Sequence, residues 1–386
     1  MTLKVAKRGL VAPFIVMDVL RAANARAATG ADVLHLEMGQ PATGAPQAVI
    51  AAARRMLDTD PLGYTEARGL AALRERIAAY YRQTQDLDVD PDRIVVTTGA
   101  SGGFVLGFIA GFDPGDRVAL ADPGYPAYRN ILTALGIEPV PLPAGPDTRF
   151  QPSIALLEKA GKLDGLIVAS PSNPTGTMLS ADELRALTEY CAVRGIRLVS
   201  DEIYHGITYG APAVSALRFT DRAVVVNSFS KYFSMTGWRI GWMVLPNDDA
   251  YTRAVECLAQ NLYISPPTLS QFAAAAAFDC SAELDANVAR YAANRKILLD
   301  ELPRAGLDRL APADGAFYLY ADVRQLTNDS EEFCRRMLEE TGVATAPGTD
   351  FDQGRGRGYV RFSFAGATAD MTEAAKRLKV WLPRRK

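Results

Sequence analysis

Histidine is nearly missing from this chain of 386 residues: only His35 and His205 occur. Two residues of that type, so far apart, give no basis for a histidine-based metal centre or a Ser-His-Asp triad. Cysteine is scarce as well. Cys191, Cys257, Cys280 and Cys334 stand far apart with no CxxC pair, which is the pattern of reduced cysteines rather than of a disulfide framework or zinc site. No apolar run approaches membrane-spanning length, and the opening MTLKVAKRGLVAPF has no apolar secretory core. The expected location is therefore the cytoplasm, with no membrane partner. A formal net charge of -2 offers no electrostatic case for nucleic acid, and the basic end, Arg384, Arg385 and Lys386, reads as the solvated end of a helix. Neither GxGxxG nor GxxxxGK[ST] occurs, so a nicotinamide or a nucleoside triphosphate has no anchor. What is left is chemistry run by lysine, carboxylates, tyrosines or a borrowed cofactor.

With 48% hydrophobic and 22% charged residues, the chain has the balance of a soluble globular protein, and its length allows two domains. Short apolar runs stand at IVVTTG (94–99), RVALAD (117–122), EPVPLP (138–143), GLIVAS (165–170), RLVSDE (197–202), AVVVNS (223–228) and IGWMVL (240–245). Helical patterns separate them. In SADELRALTEYCAVRG, Ser180 and Glu183 have capping-box spacing, Leu184, Leu187 and Cys191 share a face, and Gly195 ends the helix. This alternation predicts an α/β fold: a large domain with a mostly parallel, seven-stranded sheet flanked by helices. A long helix over 281–305, GAFYLYADV, the helical EEFCRRMLEETG and the strand-like YVRFSFA predict a smaller α+β domain. The stretch up to residue 40 shows no sheet-forming alternation and reads as an arm on the small domain or on another subunit. The expected division is 1–40, 41–285 and 286–386. GRGRG (354–358) reads as a flexible loop, and His205 as a hydrogen-bonded neighbour of its motif.

In an open parallel sheet, ligands bind at the carboxyl ends of the strands. Five strand ends present Gly99, Tyr125, Asn173, Asp201 with Tyr204, and Lys231. A lysine, an acid, two phenols, an amide and a helix start then converge on one crevice. The N–H groups of Gly99, Ala100 and Ser101 suit a phosphate, as do the hydroxyls of Ser228 and Ser230 and the guanidinium of Arg239. Tyr125 can stack on an aromatic ring. Asp201 can pair with a protonated pyridine nitrogen, and Lys231 can condense with an aldehyde. The ligand so described is pyridoxal 5'-phosphate.

SNPTG (172–176), DEIY (201–204) and SFSK…TGWRIG (228–241), in this order, resemble the class I/II pyridoxal-phosphate-dependent aminotransferases of the aspartate aminotransferase fold, fold type I. EMGQP (37–41), GYTEARGLAALR (63–74), FDPGDRV (112–118) and GTDF…YVRFSFA extend the resemblance over residues 35 to 365. It implies that Lys231 attaches the cofactor and then acts as general base for a 1,3-proton shift. It also implies that Asp201 holds the pyridinium proton, while Asn173 and Tyr204 bond the ring's phenolic oxygen. Arg361 would grip the substrate α-carboxylate, with the Gly39 N–H beside it. Tyr64 would reach the phosphate of a neighbouring subunit's cofactor, which implies a homodimer with shared sites.

The implied activity is transfer of an amino group from an L-amino acid to a 2-oxo acid by ping-pong half-reactions. Two alternatives share the motifs: a lyase of the same fold, of the C–S β-lyase type, or a cyclase acting on an activated methionine. A ligand-sensing module of a transcription regulator is disfavoured, because fewer than about 40 residues precede the first motif, too few for a DNA-binding domain and linker. On substrate choice, Ser101 stands where some acidic-substrate relatives carry a lysine. The segments APF (12–14) and NLYISPP (261–267) add Phe14, Leu262 and Tyr263. The expectation is a preference for neutral donors over aspartate, unless a partner subunit supplies an arginine.

Overall fold

The computed structural model describes residues 3 to 382, so Arg384, Arg385 and Lys386 lie outside the described residues. Helix α1 (Ile15–Ala27) and the short strand β1 (Leu34–His35) come first, followed by α2 (Gln47–Thr59) and α3 (Ala71–Gln85). Strand and helix then alternate through β2 (Ile94–Thr97), α4 (Gly99–Gly111), β3 (Arg117–Asp122), α5 (Pro126–Leu135), β4 (Glu138–Pro143) and α6 (Ile154–Ala160). The pattern continues with β5 (Gly165–Ala169), α7 (Ala181–Arg194), β6 (Arg197–Asp201), β7 (Val224–Ser228) and β8 (Gly241–Val244). Helices α8 (Asp249–Leu262), α9 (Thr268–Ala277) and α10 (Ser281–Arg304) lead to β9 (Tyr318–Asp322), α11 (Ser330–Thr341), β10 (Val343–Ala344), β11 (Ala346–Pro347), β12 (Tyr359–Ser363) and α12 (Thr368–Trp381).

All seven expected strands pair into one sheet of order β2-β8-β7-β6-β5-β3-β4. Only β8 runs against its neighbours, antiparallel to both β2 and β7. Both faces are covered, and alternate residues of every strand except the edge strand β4 feed different cores. Val225, Leu198 and Val96 join one apolar cluster, while Val224, Val226, Val199 and Val95 join the other. That explains the continuous apolar runs in the sequence, since a strand covered on both faces needs no polar side. EPVPLP forms a strand despite three prolines because β4 is the sheet edge, where missing N–H groups leave no ladder bond unmade. Helix α7 carries the expected capping box at Ser180 and Glu183, and Gly195 ends it in the left-handed conformation at φ 68°.

The C-terminal part holds a three-stranded antiparallel sheet, β11-β12-β9, around a separate apolar core. The expected division after residue 285 falls inside α10. Leu284 packs in the large core, and Tyr291, Leu298 and Leu302 pack in the smaller one.

Two expectations need correction. The N-terminal stretch does enter a sheet, since β1 pairs parallel with β10 through Leu34–Val343 and His35–Ala344. It packs on the C-terminal part, where Asp350 accepts hydrogen bonds from the N–H groups of Ile15 and Val16 (3.0 and 3.1 Å). A cap supplied from 335 residues away has no local sequence signal. GRGRG is not a flexible loop either. Residues Gly356–Gly358 form a 3-10 turn with both glycines buried, and a Cβ on Gly356 would fall 2.2 Å from the Gly348 carbonyl oxygen.

Candidate active site

Because every strand of the large sheet except β8 points the same way, the C-terminal ends of β2, β3, β5, β6 and β7 share one edge with the start of β8. A cavity of about 190 Å³ opens along that edge. Of the expected site residues, it is lined by Gly39, Ala100, Ser101, Tyr125, Asn173 and Asp201, and by Tyr204, Ser230, Lys231, Arg239 and Arg361. Gly99 and Ser228 stand directly behind the lining. Tyr64 does not reach it; its side chain is 82% exposed on the surface of its own chain.

Lys231 lies in the turn after β7, and its Nζ donates to the Gly39 carbonyl at 2.6 Å. Burial in the crevice, joined by the nearby Arg361 and Arg239 guanidiniums and opposed by Asp201, lowers its pKa to about 8. Asp201 is the last residue of β6. Burial raises its pKa to about 6, against the hydrogen bonds from the Tyr128 hydroxyl and the Ile203 N–H, the latter at 3.0 Å. The Tyr204 and Tyr318 hydroxyls are 2.7 Å apart, and burial holds the Tyr204 phenol well above its usual value.

Arg361 reaches the crevice from β12 in the smaller sheet and is 2% exposed. Its Nη1 donates to the Asn173 side-chain oxygen at 2.9 Å, and its Nη2 donates to the Glu37 carbonyl. The guanidinium carbon sits 4.5 Å from the Tyr318 ring centre and 4.7 Å from that of Phe351. A planar fork held this way suits a carboxylate. The His205 ring stays out of the cavity, with Nε2 3.1 Å from the Ser170 carbonyl oxygen.

The opposite end is built for an anion. Helix α4 starts without a capping side chain, so its first N–H groups are open to a ligand. Gly99 begins it at φ 77°, and a Cβ there would fall 2.6 Å from the Arg239 Nη2. Arg239 donates from Nη1 to the Thr236 carbonyl at 3.0 Å. The Ser228 hydroxyl donates to that of Ser230 at 2.9 Å, so Ser228 sits one hydrogen bond behind the lining. Ser101 and Arg239 remain exposed, which makes this the solvent-open end of the crevice.

Between the two ends, the half-buried Tyr125 presents its ring, edge-on to Phe14 and Tyr128 at 5.9 and 5.3 Å. The donor set therefore fits a flat, anionic, aldehyde-bearing cofactor: an anion pocket, an aromatic face, a carboxylate and a primary amine. Phe14 lines the cavity as expected, joined by Val16, Met17 and Met38. Leu262 and Tyr263 do not line the cavity of their own chain, because α8 ends away from it with Leu262 53% exposed. Two contributors escaped the sequence reading. Tyr128 lies three residues beyond Tyr125, the N-cap of α5, a spacing that brings the two rings to one side and was readable from PGYPAY. Tyr318 carries no such local mark, because only the strand register sets it and Arg361 on one face.

The family model described as aminotransferase class I and II matches residues 31–378. Valine–pyruvate aminotransferase of Mycobacterium tuberculosis is 54% identical, over 99% of this chain and 100% of its own. The crystal structure of an aminotransferase from Mycobacterium tuberculosis superposes with a TM-score of 0.97 at 53% identity, covering 99% of this chain and 100% of that one. Aspartate aminotransferase from Thermus thermophilus with maleate gives a TM-score of 0.92 at 30% identity, covering 98% and 100%.

Proposed function

The chain belongs to the class I and II aminotransferases, and we propose that its amino donors are neutral, apolar L-amino acids such as valine, with a small 2-oxo acid such as pyruvate as acceptor. It is a pyridoxal-phosphate-dependent enzyme that moves the α-amino group of an L-amino acid to a 2-oxo acid. When bound, the cofactor supplies the aldehyde that takes up the amino group and a pyridinium ring that accepts the electron pair of the broken Cα–H bond.

This chain's residues do the rest. The N–H groups of Gly99, Ala100 and Ser101, with Arg239 and the Ser228–Ser230 hydroxyl pair, hold the phosphate. Tyr125 would cover the ring, Asp201 would pair with its nitrogen, and Asn173 and Tyr204 would hydrogen-bond its phenolic oxygen. Lys231 would attach the cofactor, and its amine, once freed by the substrate, would take the proton from the substrate Cα and carry it across the transferred amino nitrogen. A lysine pKa near 8 leaves a share of neutral amine at neutral pH. Arg361 grips the α-carboxylate beside the Gly39 N–H.

The observation that carries the substrate reading is the count of cations. Among the described residues, the cavity is lined by Lys231, Arg239 and Arg361 and no other cation, and each already has a role. Phe14, Val16, Met17 and Met38 line the same cavity, and they are the apolar groups proposed to meet the substrate side chain. A second carboxylate there would be unpaired, at a cost of several kcal/mol. The relative named for valine and pyruvate supports the same choice.

We further propose a cytoplasmic homodimer in which the exposed Tyr64 closes the solvent-open phosphate end of the partner's crevice. The proposed division is 1–40, an arm and part of the small domain, 41–285, a cofactor domain, and 286–386, a small domain that brings Arg361, with α10 running across the second boundary. Steady-state kcat/KM for valine, leucine, alanine, phenylalanine and aspartate, with pyruvate as common acceptor, tests the substrate reading. A neutral donor should lead aspartate by at least about tenfold; preference for aspartate overturns it.

A further inference from the structure

Tyr318 is 1% exposed and stands on β9, among the groups that the reaction needs aligned. Its hydroxyl is 2.7 Å from that of Tyr204, which follows β6 in the large sheet. Its ring face lies 4.5 Å from the Arg361 guanidinium. It is also wedged under Gly39, where a Cβ would fall 2.0 Å from its hydroxyl oxygen, and the Gly39 carbonyl takes the Lys231 amine at 2.6 Å. One side chain of the smaller sheet thus meets the tyrosine facing the cofactor oxygen, the arginine facing the substrate carboxylate, and the backbone that steadies the lysine.

The proton count gives this contact a direction. Tyr204 has a single hydroxyl proton. Once that proton is given to the cofactor's phenolic oxygen, the Tyr204 oxygen can only accept from Tyr318, and Tyr318 must be the donor. A hydroxyl that accepts a hydrogen bond becomes a stronger donor itself. The aromatic face acts separately. Arg361 is sandwiched between Tyr318 and Phe351, and its buried Nε has no hydrogen-bond partner, so the rings fix the plane of the fork along with Asn173 and Glu37.

We propose that Tyr318 is a positioning residue with two separable functions: its hydroxyl primes Tyr204 as a donor to the cofactor oxygen, and its ring orients Arg361 toward the substrate carboxylate. The inference rests on the roles given above to Tyr204 and Arg361. Removing the hydroxyl would weaken donation to the phenolic oxygen, leave more negative charge on it, and so hold a proton more firmly on the Lys231 nitrogen where it joins the cofactor.

The test uses the native holoenzyme, Tyr318→Phe and Tyr318→Leu. Visible absorbance of the bound cofactor is titrated with pH, and kcat and KM are measured with whichever donor the native enzyme uses best. Tyr318→Phe should raise the titration midpoint by about half a pH unit and lower kcat, with KM within about twofold, because the ring stays over Arg361. Tyr318→Leu should show the same shift and raise KM about fivefold as well. An unshifted midpoint in Tyr318→Phe, or a KM in Tyr318→Leu no higher than in Tyr318→Phe, overturns the inference. Should Tyr318→Leu not fold, the Tyr318→Phe titration decides alone. A native enzyme without any pH-dependent visible band would overturn the underlying site assignment, a result distinct from failure of the inference alone.

Discussion

Lys231 and Asp201 owe their chemistry to where the chain leaves the sheet. Each sits at or just past the buried end of a strand, where burial works against charge on both: the amine is pushed down to about 8 and the carboxyl up to about 6. Asp201 is therefore mostly ionised at neutral pH, and a pyridinium beside it favours the charged form further. The lysine shift makes a direct prediction. Only the neutral amine condenses with an aldehyde, so the rate at which the cofactor-free protein takes up pyridoxal phosphate should rise with pH and level off past about 8. Stopped-flow absorbance checks it; a rate still climbing toward the ordinary lysine value of about 10.4 would contradict the assigned environment. These residue types were readable because their chemistry is distinctive at a strand end. Tyr318 was not, since its place depends on which strand of a second sheet lies opposite Arg361.

The strands and helices were legible where one local rule governs them. β-Branched runs became the buried strands, and Ser180 with Glu183 capped α7 as their spacing required. The rule failed where a distant group decides, as when Asp350 caps α1 and when the close approach of Gly348 orders the GRGRG segment. The turn into α4 joins both kinds of signal. Its glycines mark a turn, but the left-handed Gly99 and the Arg239 side chain against it appear only in three dimensions. Gly99→Ala should cost about 1–2 kcal/mol of stability from backbone strain alone. It should also loosen the cofactor, because the new Cβ displaces Arg239 from the phosphate end. Thermal unfolding and fluorescence titration with pyridoxal phosphate measure the two effects; unchanged retention would remove Arg239 and this helix start from the phosphate site.

The whole molecule brings Arg361 from the smaller sheet to an amine, a carboxylate and an anion pocket on the larger one, so the site exists only when both parts fold together. The end proposed to take the phosphate is open in a single chain, with Ser101 and Arg239 exposed, and Tyr64 is exposed on the same molecule. In the proposed dimer, Tyr64→Phe removes one hydrogen bond to phosphate and should weaken cofactor retention by about 1.5–3 kcal/mol without dissociating the dimer. Equilibrium dialysis and sedimentation check this; native retention in the variant would place Tyr64 outside the partner's site. In the proposed site the strand ends form one crevice that binds the cofactor through Lys231. Borohydride reduction of the yellow holoenzyme, followed by peptide mass mapping, decides this. One pyridoxyl phosphate per chain should appear, on the peptide containing Lys231; a label on any other lysine, or none, would refute the site.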